Sequence, residues 1–298
     1  SEVITTPMSY VSSTSSIVLA GAKPVFSDVD LSLCLDPNHI ESQINSKTRA
    51  ILAVHLGGNP ARVDLMRKIA DKYNIFLIED CAQALGTELL GTKVGCFGHL
   101  ASFSFHPLKI LGGLGDGGAV GGTNLEALNL IKRLRNHGHI SRDDVDFFSH
   151  NMRLDALQAM FLRRKFKFLL ESINLRQRQV KIYREILGEL EKEGSIIFPL
   201  LNSAIENISF NFFILIVEDR EELISFCKRE GVELKVHYPR LLSNLSIKQK
   251  EKYYRTTDLT NANVFVQKIV SLPIGDHLDG EDIKLVGETV RDFYKNKR

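Results

Sequence analysis

Apolar and polar positions alternate between two periods along the first half of the chain. Glu2 to Thr6 reads as a strand ended by Pro7, and Ser12 to Ala20 as a short helix closed by Gly21. Pro24 to Val29 is a second strand. Leu35-Asp36-Pro37 offers an N-cap followed by proline at the first helical position, which predicts a helix to about Ile44. Ala50 to Val54 is an unbroken apolar run, the mark of a strand buried on both faces. Arg62 to Tyr73 carries Val63, Leu65, Met66, Ile69 and Ala70 at helical spacing, and Ile75 to Ile78 is another buried strand. This alternation predicts an α/β fold with a mostly parallel central sheet and helices on both faces.

From Leu154 the pattern changes. Leu154, Leu157, Phe161, Leu162, Phe168, Leu169 and Ile173 keep helical spacing, and the signal persists to Leu187. One long helix, bent near Ser172, is expected to bridge into a smaller α+β domain. That domain should hold a strand at 209–217, a helix at 220–230, a strand at 233–236, and helices near 260–270 and 280–295. The expected division is a large domain over 1–160 and a bridging helix with a small domain over 161–298.

Length and charge narrow the function classes. The 298 residues suit about two domains. Thirty-eight Lys and Arg against thirty-six Asp and Glu leave +2, too balanced for a nucleic-acid or membrane-surface binder. No apolar run approaches the roughly 20 residues that span a bilayer. Ser1-Glu2-Val3-Ile4 lacks the basic start and apolar core of a secretory leader. The expectation is a cytoplasmic globular protein. Cys34, Cys81, Cys96 and Cys227 form no C-x-x-C pair and have no histidine at zinc spacing, so reduced thiols are expected, with no metal.

Seven of the twenty-one glycines lie between Gly112 and Gly122. Gly113-x-Gly115-x-x-Gly118 matches the dinucleotide fingerprint formally, which would suggest a nicotinamide-dependent oxidoreductase. Pro107 interrupts the preceding segment, Ala119-Val120 looks like strand where a helix should begin, and no acidic residue sits at the required distance. A tight backbone turn beside a ligand is the better reading.

More informative chemistry sits upstream. Ile78-Glu79-Asp80 ends a buried strand in carboxylates, at the sheet edge where open α/β folds bind ligands. Ser102-Phe103-Ser104-Phe105-His106-Pro107-Leu108-Lys109 then supplies two hydroxyls, a histidine and a lysine. A lysine amine and a carboxylate at one edge suit pyridoxal phosphate chemistry. The amine can bond the cofactor aldehyde, and the carboxylate can keep the pyridine nitrogen protonated. Taken singly, Lys109 reads as a solvated lysine and Asp80 as a strand-end cap.

The string Glu79-Asp80-Cys81-Ala82-Gln83-Ala84 and the segment from Ser102 to Lys109, with Gly115-Asp116-Gly117-Gly118-Ala119, Arg135-Asn136-His137-Gly138, Asn151-Met152-Arg153-Leu154-Asp155-x-x-Gln158-Ala159, Val236-His237-Tyr238-Pro239 and Ser271-Leu272-Pro273-Ile274, closely resemble the DegT/DnrJ/EryC1/StrS family of sugar aminotransferases. The motifs occur in family order over nearly the whole chain. The resemblance implies a fold-type-I, pyridoxal-phosphate-dependent enzyme working as a homodimer. It implies amino transfer from glutamate to C3 or C4 of a nucleotide-linked keto sugar, for surface polysaccharide or amino-sugar biosynthesis. The Pro-Leu-Lys and Gly-Asp-Gly-Gly-Ala contexts look more like the 3-aminotransferases.

On this resemblance Lys109 matches the Schiff-base lysine and Asp80 the partner of the pyridine nitrogen. Gln83 matches the residue near the cofactor 3-oxygen, Ser104 a phosphate-binding hydroxyl, and Tyr10 an aromatic ring stacked on the cofactor. Asn151 matches a residue that reaches the neighbouring subunit's cofactor phosphate. His237, Tyr238 and Arg153 are candidates for substrate contact. Lys109 argues against the dehydratase variants of the family, which carry histidine there. Family members also carry some tens of residues ahead of the segment matching Ser1, including a Gly-Thr/Ser-rich helix start for the cofactor phosphate. No equivalent appears in this sequence, which makes a catalytically impaired homologue acting as a binding or regulatory subunit the alternative expectation.

Overall fold

The computed structural model describes residues 1–199, 207–249 and 252–297. The chain opens with β1 (Glu2–Thr5), α1 (Ser12–Leu19) and β2 (Lys23–Phe26). The helix expected after Pro37 is instead two 3₁₀ turns, Pro37–His39 and Glu41–Gln43. Asp36 caps the first by accepting from the Asn38 amide, yet the stretch offers the core only Ile40 and, partly buried, Ile44, too little apolar face to hold a longer helix. Next come β3 (Thr48–Val54), α2 (Val63–Tyr73) and β4 (Phe76–Asp80). Asn74 ends α2 in the left-handed conformation, the usual stop before a turn. A small hairpin, β5 (Glu88–Leu89) and β6 (Thr92–Lys93), precedes β7 (Leu100–Ser104) and β8 (Gly118–Gly122).

These strands form one seven-stranded sheet in the order β11-β2-β1-β3-β4-β7-β8, where β11 is Arg255–Thr256. Every pairing is parallel except β7 with β8. Gly122 shows why β8 is glycine-rich: a Cβ there would lie 2.3 Å from the His99 carbonyl oxygen. The antiparallel β8 stands where a dinucleotide fold would start a helix, in line with rejection of that fingerprint.

The helices that follow are α3 (Leu125–Leu134), α4 (Ala156–Phe166) and α5 (Leu169–Lys192). The long bridging helix is therefore broken, at Lys167-Phe168 rather than near Ser172. Phe168 leaves helical geometry and its amide bonds back to Lys165, a tightened last turn. Periodicity alone could not show the break, because apolar residues continue in phase on both sides of it. Beyond α5 lie β9 (Ile196–Ile197), β10 (Phe213–Val217), α6 (Arg220–Arg229), α7 (Thr260–Lys268), β12 (Ile269–Leu272) and α8 (Gly280–Asn296). Of the strand expected at 233–236, only a bridge between Lys235 and Ser271 is present.

Two main cores meet at β10. Ile214 and Ile216 pack into the core of the large sheet, while Phe213, Leu215 and Val217 enter a second core with Tyr183, Leu187 and Val290. This is the period-two alternation of a strand covered on both faces. Residues after the second core return to the first, where Leu241, Tyr254 and Ala262 are buried. Asp28 fixes that return by accepting the Asn261 and Ala262 amides at the start of α7, each at 2.8 Å.

The α8 N-terminus is closed by a reciprocal capping box between Asp279 and Asp282. Asp279→Ala should cost about 1 kcal/mol of stability, with Asp279→Asn retaining most of it, as read from denaturant midpoints.

Candidate active site

The C-terminal ends of β1, β3, β4 and β7 open on one cavity of about 830 Å³, where an open α/β sheet places its ligands. Val54 lines it at the end of β3, and Phe212, ahead of β10, lines it together with His237 and Tyr238, which follow α6 in the chain. Of the nine residues singled out from the sequence, seven line this cavity: Tyr10, Asp80, Gln83, Ser104, Lys109, His237 and Tyr238. Asn151 and Arg153 are not among its lining residues. They are exposed and paired with each other, the Arg153 Nε donating to Asn151 Oδ1 at 2.9 Å.

Asp80 is the last residue of β4. Its Oδ1 accepts from the Ala82 amide and its Oδ2 from the Ser13 hydroxyl, both at 3.1 Å. Gln83 is held at both ends of its amide: Oε1 accepts from the Gly57 amide at 2.6 Å, and Nε2 donates to the Tyr238 hydroxyl at 3.0 Å. One Nε2 proton of Gln83 remains for a ligand. Tyr238 is driven up to about 12, chiefly by burial, so its hydroxyl keeps its own proton. The Tyr10 ring sits 5.7 Å from the Tyr238 ring and is half exposed at the cavity mouth.

Lys109 follows β7. Burial pulls its amine below the ordinary lysine value, against the opposing charge of Asp80. The glycine cluster explains how the segment is placed. Phe105 donates to the Gly117 carbonyl and accepts from the Gly113 amide, both at 2.8 Å, folding the loop back over residues 105–109. A Cβ at Gly112 would fall 2.3 Å from the Pro107 carbonyl oxygen. Gln158 of α4 secures the loop from outside by accepting the Leu114 amide at 2.9 Å.

His237 stacks on Phe212 at 3.7 Å between ring centroids, and its Nδ1 lies 2.9 Å from the Ser271 hydroxyl. Burial first, then the charges of Lys109 and Lys235, push it down to about 4, so the ring is neutral near pH 7.

Beneath the cavity lies a network whose purpose the sequence did not disclose. Glu79 has no exposure, yet accepts from the amides of Gly95, Phe97 and Gly98 at 2.7, 2.9 and 2.6 Å, and pairs with His55 Nε2 at 3.2 Å. His55 Nδ1 accepts from the Ala61 amide, so the ring proton sits on Nε2 and points at the carboxylate. Burial alone would raise Glu79. The His55 contact and the amides outweigh it and hold the carboxyl below its ordinary value. Cys81 brings a third potential metal ligand within 4.8 Å of these two, but the lone pairs of His55 and Glu79 are already committed to protein donors. The usable sequence signal was alternation: next to a cavity-facing Asp80, Glu79 must face the opposite side of the sheet.

A carboxylate and a half-buried lysine at the carboxyl ends of parallel strands, with hydroxyls and an aromatic ring around them, fit the ring nitrogen, the aldehyde and the volume of a pyridoxal phosphate. The architecture and this pairing fit the class of fold-type-I, pyridoxal-phosphate-dependent enzymes. The chain belongs to the DegT/DnrJ/EryC1/StrS aminotransferase family, whose model matches residues 1–291. It is 32% identical to a pleiotropic regulatory protein of Geobacillus stearothermophilus, over 99% of this chain and 79% of that protein. It is 33% identical to the dTDP-3-amino-3,4,6-trideoxy-alpha-D-glucose transaminase of Streptomyces venezuelae, over 98% and 76%. Among solved structures, NtdA from Bacillus subtilis with bound cofactor PMP superposes with a TM-score of 0.90 at 26% identity, covering 99% of this chain and 68% of that one.

Glu79→Gln should cost about 3 kcal/mol, because an amide cannot accept from all four donors and turns its own NH₂ toward some of them. Since folding lowers the Glu79 pKa, its contribution is complete above the ordinary value of 4.5 and is lost as pH falls through the folded value. Acid unfolding curves should therefore be flatter in the variant through that window.

Proposed function

We propose that the chain transfers an amino group from glutamate to the 3- or 4-keto carbon of a nucleotide-linked sugar, using pyridoxal 5'-phosphate. The observation that carries this reading is Asp80 and the half-buried Lys109 lining one cavity. When bound, the cofactor supplies an aldehyde that takes up the amino group and a ring that delocalises the electron pair released at the donor's α-carbon. Asp80 would hold the ring nitrogen, Gln83 the 3-oxygen and Ser104 the phosphate, with Tyr10 against the ring face. Lys109 is the covalent anchor. Displaced from the aldehyde carbon by the donor's amino group, the Lys109 amine, made easier to deprotonate by burial, would take the proton from the donor's α-carbon and return it one position along. Tyr238 offers a hydroxyl proton to a sugar oxygen. Neutral His237 binds a sugar hydroxyl without adding charge, and Arg153 is a further candidate for substrate contact. The name of the Streptomyces venezuelae relative favours C3. The product serves amino-sugar or surface polysaccharide assembly in the cytoplasm. Among the described residues no helix is long and apolar enough to cross a membrane, and the four cysteines are free.

The enzyme works as a homodimer in which Asn151 reaches the cofactor phosphate of the other copy. Supporting this, Leu114 in the glycine loop and Leu157 and Met160 on α4 expose apolar surface, and Phe148, between α3 and α4, is 99% exposed. Sedimentation should show a dimer, and Phe148→Asp combined with Met160→Asp should shift it to monomer and lose activity.

A second reading, a regulatory subunit of low activity, is favoured by the name of the Geobacillus relative. Lys109→Ala separates the two. Under the catalytic reading wild type aminates 3- or 4-keto nucleotide sugars from glutamate, and the variant loses the cofactor's visible band and about 10³-fold or more in rate. A wild-type chain that binds the cofactor but aminates neither sugar type supports the regulatory reading.

A further inference from the structure

The first turn of α1 contains an anomaly. Serines near a helix start ordinarily cap it by accepting backbone amides. Here the N-cap position is Val11, which provides no side-chain cap, and Ser12 and Ser13 stand inside the helix. The Ser13 hydroxyl is buried and turned across to β4, where it donates to Asp80 Oδ2 at 3.1 Å. Its oxygen lies 2.8 Å from that of Ser9, also buried, one turn earlier. Ser13 has a single hydroxyl proton and gives it to a carboxylate, so Ser9 must be the donor in that second contact. The chain therefore runs in one direction, Ser9 to Ser13 to Asp80.

We infer that Ser13, oriented by Ser9, is a positioning residue that aims the Asp80 carboxylate into the cavity. Asp80 has two side-chain torsions and two protein donors, one on each oxygen: the Ala82 amide and the Ser13 hydroxyl. With both in place the carboxylate plane is fixed, and the lone pairs left over face the ligand. With Ser13 removed, the bond to Ala82 becomes a pivot about which the carboxylate can turn. The inference rests on the proposed role of Asp80 toward the pyridine nitrogen, and it assigns the geometry of that contact to a helix remote in sequence.

The test compares wild type, Ser13→Ala, Ser9→Ala and the double variant for pyridoxal phosphate affinity, followed by the cofactor's visible band, for kcat and KM with glutamate, and for Tm without cofactor. Ser13→Ala should weaken cofactor binding about tenfold and lower kcat about tenfold, with KM for glutamate unchanged within about twofold. Ser9→Ala should show about a third of that effect. Both serines line the cavity, yet the double variant should match Ser13→Ala, because the Ser9 hydroxyl proton is spent on Ser13. Ser13→Ala with wild-type affinity and kcat, at whatever Tm, overturns the inference, as do additive effects of the two serines. A wild-type chain that binds no pyridoxal phosphate overturns the functional reading itself, and the inference with it.

Discussion

A carboxylate sealed from water is tolerable only when protein groups replace its hydration, and Glu79 meets that condition with three backbone amides and a histidine. The donors come from different places. His55 follows β3, and the amides belong to the turn between β6 and β7. Satisfying one buried charge thus locks the end of β3, the end of β4 and the approach to β7 into a single arrangement. Those strand ends carry the floor of the cavity, Asp80 and the segment leading to Lys109. The cavity depends on a group that never touches its contents.

The second constraint is the join between the two cores. β10 serves both by alternation, so it cannot slip by one residue without exchanging its faces. Gln83 then bridges the turn after β3 to Tyr238, and Asp28 ties α7 to the end of β2. His237 and Tyr238 reach the cavity because the chain returns from the second core to the first, where Tyr238 packs and is held by Gln83. The near-neutral charge is consistent with this construction, since local dipoles and hydroxyls hold the charged groups and no basic surface is required.

Legibility differed by element. β3 and β4 were plain as unbroken apolar runs, and α2 as a clean amphipathic repeat. The pair of 3₁₀ turns after Pro37 carried correct helix-start chemistry but lacked an apolar face, which a capping motif does not report. β11, two residues long, had no pattern of its own and exists because β2 offered an open edge. In the site, contiguous motifs brought Asp80, Gln83, Ser104 and Lys109 to notice. Ser13 was invisible as a site residue, since serine in a helix's first turn reads as capping.

Sequence by itself determined the elements whose stabilising partners are local in the chain: the buried strands, the amphipathic helices, the glycine loop and the residue types able to bear transamination chemistry. Family motifs in order added the class of enzyme. Tertiary structure alone decided which of these residues share a cavity, that Lys109 is half-buried while Asn151 and Arg153 pair on the surface, and which donors meet Glu79 on the face opposite Asp80. The reason is physical. Hydrophobic periodicity reports one residue's relation to a face, whereas desolvation and hydrogen-bond direction depend on what is packed opposite, and those partners lie tens to hundreds of residues away.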